Sequence, residues 1–369
     1  MNLVHVIIGL EPSGAELFLL RLCKEQIKSY DKVTVISLTT EGSLADEFKS
    51  AGVNIIALGM KSGLGMFRAC WLLRQELLRI EPDLVQSWMY HADLLTAFVK
   101  LTMPRTHLIW SIRCTDVPAG NKLTYFVMKC CARLSSFVPD RITCVAAAAK
   151  VKHIAYGYDQ QKLIAIPNGY NFESLQFNAA ERDAIRSRLG LSSELVLGAV
   201  GRYHNDKGQD ILIDALAQHK TTAWKLILVG RYCDANNQEL KSKIELAGLT
   251  DRIILAGEQS NVSAWLSAFD AFVMPSRTEG FPNALAEAMA VGLSCIATKV
   301  GDAALLAGDT VILCDANVNS FGDALALLFG MDNAGRQALG ALASNRVHSE
   351  YSMQKAAINY HQLYSELVK

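Results

Sequence analysis

Short β-branched runs alternate with helical patterns along nearly the whole chain, and this alternation points to parallel sheets covered by helices. In the first half the strand candidates are "LVHVIIG" (3–9), "VTVISL" (33–38), "NIIALG" (54–59), "LVQSWM" (84–89), "HLIWSI" (107–112), "RITCVA" (141–146) and "KLIAIP" (162–167). In the second they are "LVLGAVG" (195–201), "KLILVG" (225–230), "IILAG" (253–257), "AFVMPS" (271–276), "SCIATKV" (294–300) and "TVILC" (310–314). Between the two sets, "PNGYNFESLQFNAAERDA" (167–184) is rich in Asn, Gly and polar residues, shows no strand period and reads as a linker. At 369 residues the chain is long for one core, and its 51% apolar content is enough to fill two. The pattern therefore predicts an α/β protein of two doubly wound sheets. One domain is expected over 1–168, a second over 169–352, and a helix over 353–369 that crosses back to the first.

Several function classes fall away on composition. The nine cysteines show no C-x-x-C or Cys/His metal spacing, and the vicinal Cys130-Cys131 is no ligand template, so free thiols in a reducing cytosol are expected, with no metal and no cofactor. "LVHVIIG" opens the chain as a strand, without the basic region and cleavage site of a signal peptide. No apolar run approaches the roughly 18 residues of a membrane-spanning helix. The expectation is a cytoplasmic protein, soluble or peripheral on the inner face of the membrane.

The formal charge is zero overall, yet residues 1–170 hold 19 Lys and Arg against 14 Asp and Glu. Nine of these cations lie from Lys100 to Lys152 against only Asp116 and Asp140, and a second basic stretch runs through Lys61, Arg68, Arg74 and Arg79. Such clusters beside apolar groups suit an anionic membrane surface or a phosphorylated lipid. Solvated helix faces account for them equally well. No nucleic-acid partner is expected.

Open α/β sheets bind ligands beyond the carboxyl ends of their strands, so two such domains facing each other place the natural site in the cleft between them. Strand 1 ends in "GLEPSGAELFLL", where Glu11 stands in place of the middle glycine of a G-x-G-x-x-G dinucleotide fingerprint. A nicotinamide site is thereby disfavoured; Gly14 and Ala15 still leave room for a ligand near a helix start, and a plain strand-to-helix turn explains the letters too. "AVGRYHNDKG" sets Arg202 and Lys207 on one loop after Gly201, a planar fork of donors and a mobile point charge that suit a diphosphate. In "RTEGFPNALAEAMAVG" (277–292) a helix is expected to begin near Pro282 and run to Gly292. Its first N–H groups, at Asn283, Ala284 and Leu285, would then face a phosphate. Glu287, one turn further in, could accept hydrogen bonds from a ribose diol, with Glu279 on the other side of the phosphate.

"EGFPNALAEAMAVG" resembles the E-x7-E motif of retaining glycosyltransferases with the GT-B fold, two Rossmann-like domains facing across a cleft, and in particular family 4, whose members use nucleotide-diphosphate sugars. "SGAE" is similar to that family's first glycine loop, "IPNGYN" (166–171) to its hinge, "VGRYHNDKG" to its diphosphate loop, and "LILVG" and "IILAG" to its later strands. The resemblance implies that Arg202 and Lys207 bind the diphosphate, that Glu287 holds the ribose, and that Glu279 with the backbone of Gly280, Phe281, Pro282 and Asn283 holds the sugar and distal phosphate. It also implies a base site near Arg231 and Glu258. The chain departs from the pattern at Ser13, where two glycines are common, at Arg113, where many relatives have a histidine, and at Asn171 in place of an aspartate. "QSWMYHADLL" (86–95) and "WSIRCTD" (110–116) resemble bacterial members that build surface polysaccharides, which makes His91, Arg113 and Asp116 the acceptor-side candidates. For His91 a structural, hydrogen-bonded role is equally open.

The expected activity is metal-independent transfer of a sugar from a nucleotide-diphosphate sugar, with UDP or GDP as carrier, to a hydroxyl of a saccharide or lipid-linked acceptor, with retention. The first domain would carry the acceptor side and the second the donor. A sugar-nucleotide 2-epimerase of the same architecture and a catalytically silent nucleotide-sugar-binding subunit are the alternatives.

Overall fold

Each of the thirteen apolar runs forms a strand whose ends fall within two residues of the sequence reading. The computed structural model describes residues 1–60, 65–114, 121–172 and 175–368, with backbone alone at 65–67. The chain divides into two units, 1–170 with 353–369, and 171–352.

In the first unit the order is β1 (Asn2–Ile7), α1 (Gly14–Gln26), β2 (Lys32–Ser37), α2 (Ala45–Ser50), β3 (Asn54–Ala57), α3 (Gly65–Ile80), β4 (Leu84–Trp88), α4 (Tyr90–Lys100), β5 (His107–Ile112), α5 (Lys122–Leu134), β6 (Arg141–Cys144), α6 (Ala147–Ala155) and β7 (Leu163–Ala165). The second unit runs α7 (Ala179–Arg188), β8 (Leu195–Val200), α8 (Gln209–Leu216), β9 (Trp224–Val229), α9 (Gln238–Leu246), β10 (Ile253–Gly257), α10 (Val262–Ala268), β11 (Ala271–Met274), α11 (Asn283–Val291), β12 (Ser294–Thr298), α12 (Ala303–Ala307), β13 (Ile312–Cys314), α13 (Val318–Gly330) and α14 (Asn333–Glu350). The last helix, α15 (Met353–Leu367), returns to the first unit.

Both sheets are parallel throughout, in the orders β3-β2-β1-β4-β5-β6-β7 and β10-β9-β8-β11-β12-β13. Strands covered on both faces can be apolar without alternation, which is why they read as continuous hydrophobic runs. Parallel crossovers are right-handed, so α1 and α2, which step outward from β1 one way, cover one face of the first sheet, and α3, α4 and α5, which step the other way, cover the opposite face. α4 packs between α3 and α5, while α15 lies against α1. Phe18 of α1, Trp88 of β4 and Tyr360 and Tyr364 of α15 meet in one core under that second pair.

A hydrogen-bonded chain threads this core. The Trp88 indole N–H donates to His5 Nδ1 at 3.1 Å, so the ring proton sits on Nε2, which donates to Gln26 Oε1 at 2.8 Å. Gln26 Nε2 donates to the Tyr364 hydroxyl at 3.2 Å, and that hydroxyl donates to Gln86 Oε1. Gln86 Nε2 reaches Ser111 Oγ at 2.5 Å. Burial holds the His5 imidazole down to about 4, so it stays neutral.

The linker reading needs one correction. Residues 179–184 of the expected linker belong to α7, because Asn178 caps that helix by accepting the Glu181 N–H at 3.1 Å.

Candidate functional site

The second sheet reverses its strand order between β8 and β11, so the loops leaving these strands lie side by side at the carboxyl edge. From β8 the chain passes Gly201 and Arg202 into one 3-10 turn at Asn205–Lys207, where His204 Nδ1 accepts the Asp206 N–H at 3.2 Å. Gly208 follows at φ +63°, and a Cβ there would lie 2.1 Å from the Pro275 carbonyl oxygen. Only glycine lets this loop come so near the end of β11. The approach delivers Lys207 to Glu279, Nζ to Oε1 at 2.6 Å, and Ser276 Oγ donates to the same oxygen at 2.7 Å. The Glu279 side chain is 11% exposed and that of Lys207 31%, so both sit at the wall of the site with their heads within reach of solvent.

The β11 loop is clamped from both sides. Arg277 forms a two-pronged pair with Asp210 of α8, at 2.7 and 2.5 Å, and donates to the Asn205 carbonyl at 2.9 Å. The guanidinium holds the Asp210 carboxyl below its usual value. On the other side Gly301, at φ +55°, leaves no space for a Cβ, which would stand 2.3 Å from the Glu279 carbonyl oxygen, and the Asp302 N–H donates to the Gly280 carbonyl at 3.0 Å. The turn carrying Glu279 and Gly280 is therefore set by its neighbours.

The helix start differs in detail from the sequence reading. Pro282 stands at the N-cap and α11 begins at Asn283. Of the three N–H groups expected to be free, that of Asn283 donates to the Phe281 carbonyl at 3.0 Å and that of Leu285 to the Pro282 carbonyl at 3.1 Å. The proline turn folds back on itself and uses them, leaving the Ala284 N–H without a backbone acceptor among the described residues. Glu287 is half-buried one turn into the helix, and Phe281 is buried against the Tyr351 ring at 5.6 Å.

Arg202 is exposed, and its guanidinium makes no hydrogen bond or ion pair among the described residues. Arg231, after β9, lies over the Tyr232 ring with its guanidinium carbon 4.9 Å from the centroid, and Glu258, after β10, is exposed. All these groups lie on one edge of the second sheet.

In the first unit, Gly14 opens α1 with no other group within 4 Å of a Cβ built on it, and the Ser13 hydroxyl before it donates to the Glu16 carboxylate. His91 follows β4 just after Met89, a non-glycine residue at φ +71°. It is half-buried with its pKa lowered by desolvation, and it has no hydrogen-bond partner among the described residues. The buried, hydrogen-bonded neighbour is Tyr90, whose hydroxyl meets His153 Nε2 at 2.7 Å. Arg113 leaves β5 stacked over Phe18 at 4.1 Å, hydrogen-bonded to Asn168 and, at 3.4 Å, to the Tyr360 hydroxyl. Desolvation lowers its pKa. Asp116 lies outside the described residues.

Sequence reasoning missed Ser276, Asp210, Arg277 and Gly301. Ser276 had a signal, the three-residue spacing to Glu279. The others act across elements distant in sequence.

Residues 12–174 match the family model described as Glycosyltransferase Family 4, and residues 194–330 match Glycosyl transferases group 1. The chain is 36% identical over 127 residues to the lipopolysaccharide core biosynthesis mannosyltransferase LpsB of Rhizobium meliloti (strain 1021), an alignment that spans 33% of this chain and 36% of that relative. It is 23% identical over 299 residues to the capsular polysaccharide biosynthesis glycosyltransferase CapM of Staphylococcus aureus, over 78% of each chain. Among solved structures, Anabaena HepE in complex with UDP is similar at TM-score 0.84 and 20% identity, covering 99% of this chain and 100% of that one. This likeness shows the fold, two Rossmann-like domains of the GT-B kind.

Proposed function

We propose, from the premise that this chain carries a glycosyltransferase family 4 domain followed by a group 1 glycosyl transferase domain, that it moves a sugar from a UDP- or GDP-linked donor to a hydroxyl of a lipid-linked saccharide in bacterial surface-polysaccharide synthesis. The transfer retains the anomeric configuration, and the protein works as a cytoplasmic enzyme, peripheral on the inner face of the membrane. The observation that carries this reading is the convergence of Lys207, Glu279 and Ser276 beside the uncommitted cation Arg202 on one sheet edge.

In this mechanism Arg202 and Lys207, with the Ala284 N–H at the start of α11, hold the departing diphosphate and offset the charge that grows on it. This charge is the one a metal ion would otherwise meet, so activity should survive a chelator. Lys207 bridges the diphosphate and Glu279, which orients the sugar. Glu287 accepts the ribose diol, and Arg231 and Glu258 flank the base. With the diphosphate leaving and the sugar oxocarbenium-like, the acceptor hydroxyl attacks from the same face and a phosphate oxygen takes its proton. His91, Arg113 and Asp116 are assigned to the acceptor side.

Calorimetric titration with a panel of UDP- and GDP-sugars tests the donor site. One should bind, and Lys207→Ala and Glu287→Ala should each weaken it by about 1 kcal/mol or more, the scale of a lost charge-assisted hydrogen bond. Nuclear magnetic resonance of the product should show the donor's anomeric configuration kept. Release of an altered sugar without acceptor would instead identify an epimerase, and binding without turnover against any acceptor a silent subunit. Absence of binding across the panel would remove the site.

A further inference from the structure

The two helical faces of the first sheet differ in a way that catalysis does not need. On α3, on α4 with its C-cap Leu101, and on α5 the exposed large apolar side chains are Trp71, Leu78, Phe98, Leu101, Leu123, Tyr125 and Phe126, with Phe126 at 64% and Trp71 at 57% exposure. All but Tyr125 fall on the outward stripe of each helix, three or seven positions apart, at 71 and 78, at 98 and 101, and at 123 and 126. Because α4 packs between α3 and α5, the three stripes lie side by side. On the opposite face, the helices α1, α2 and α15 expose only Leu17 and Ile358 in this class among the described residues.

Charge follows the same division. α3, α4 and α5 carry seven Lys and Arg against Glu76, which is paired with Arg79, and the buried Asp93. α1, α2 and α15 carry four against five acidic residues. Arg68, Arg74, Lys122, Lys129 and Arg133 thus ring the apolar stripes on one face alone. A surface with aromatic and aliphatic side chains in the middle and cations around them matches the boundary of an anionic bilayer, where rings enter among the headgroups and cations meet lipid phosphate. A protein partner would need an equally large acidic rim.

We infer that the α3–α4–α5 face is the membrane-docking surface of this chain, and that anionic phospholipid is its ligand. The inference rests on the peripheral placement proposed above and fixes which side of the first unit meets the lipid. Trp71 reports on it directly, because Trp88, Trp110, Trp224 and Trp265 are all buried.

The test is co-sedimentation of the whole chain with vesicles containing about 30 mol% phosphatidylglycerol, against purely zwitterionic vesicles. Binding is expected to the first only, with a blue shift of Trp71 emission and quenching by brominated lipid. It should weaken at least about tenfold at roughly 0.5 M salt, where charges are screened beyond a few ångströms. Phe98→Gln with Phe126→Gln, and Arg74→Glu with Arg133→Glu, should each reduce binding about tenfold or more. Leu17→Gln with Ile358→Gln should leave it unchanged. Calorimetric unfolding of every variant reports the folding of the first unit, and nucleotide-sugar binding separately reports the donor site in the second. Equal binding by all variants, or no vesicle binding by a chain that still binds donor, overturns the inference. So does a self-associated chain that the Phe98 and Phe126 changes convert to monomer, since the face would then serve a second copy.

Discussion

Single residues in this chain are decided by what leaves them no freedom. Lys207 and Glu279 are 72 positions apart in sequence, and they meet because Gly208 permits the backbone of one loop to touch the other. His5 shows the same dependence in its titration. It is buried, hydrogen-bonded through both nitrogens and held to about 4, against 6.5 for an unburied imidazole. The unfolded chain therefore binds a proton that the folded chain refuses between these values. Stability from this residue is complete above pH 6.5, falls as the pH drops, and is lost through pH 4. By linkage the loss should reach about 2 kcal/mol at pH 5 relative to pH 7. Urea midpoints across that range should fall in the parent and fall less in His5→Asn, which cannot take up the proton. An unchanged slope in the variant would assign the dependence elsewhere. His91, also shifted down by desolvation, adds to the slope in the same sense.

Elements are held by polar links as well as by apolar contact. α15 buries Met353, Ala356, Tyr360, Leu363 and Tyr364, and its Tyr364 hydroxyl joins Gln26 of α1 to Gln86 of β4. Removing that hydroxyl strands both glutamines away from water. Tyr364→Phe is expected to cost about 1–3 kcal/mol, the penalty for unsatisfied buried polar groups, with the secondary structure retained. Denaturant unfolding measures it; a loss under about half a kcal/mol would mean that water or a rotated glutamine replaces the bond. α11 depends on a different device. Its proline turn consumes two of the N–H groups that an ideal helix start would offer, so the anion-binding role proposed for it narrows to Ala284.

At the scale of the molecule, the second unit is one continuous segment, whereas the first is closed by a helix from the far end of the chain. A fragment of residues 171–352 should fold alone and bind the nucleotide-sugar within about tenfold of the whole chain, since every donor-side candidate except Gly14 lies inside it. A fragment of residues 1–170 should aggregate, because without α15 it exposes the core around Phe18, at about 1.5–3 kcal/mol for each large side chain left unburied. Calorimetric unfolding of each fragment checks this, and a soluble, cooperatively folding 1–170 would contradict it.

The strands were legible because burial on both faces demands unbroken apolar runs whatever the tertiary context. The loops with Arg202, Lys207 and Glu279 and the helix with Glu287 stood out as candidates because ligands gather where strands end. Asp210, Arg277 and Gly301 were not, since a charge pair or a close backbone approach between remote segments leaves no local pattern. The same holds for the face proposed to dock on lipid. The sequence by itself determined that its first half is basic, through composition alone; which cations stand around exposed aromatic rings was decided only when right-handed crossovers put α3, α4 and α5 together on one side of the sheet.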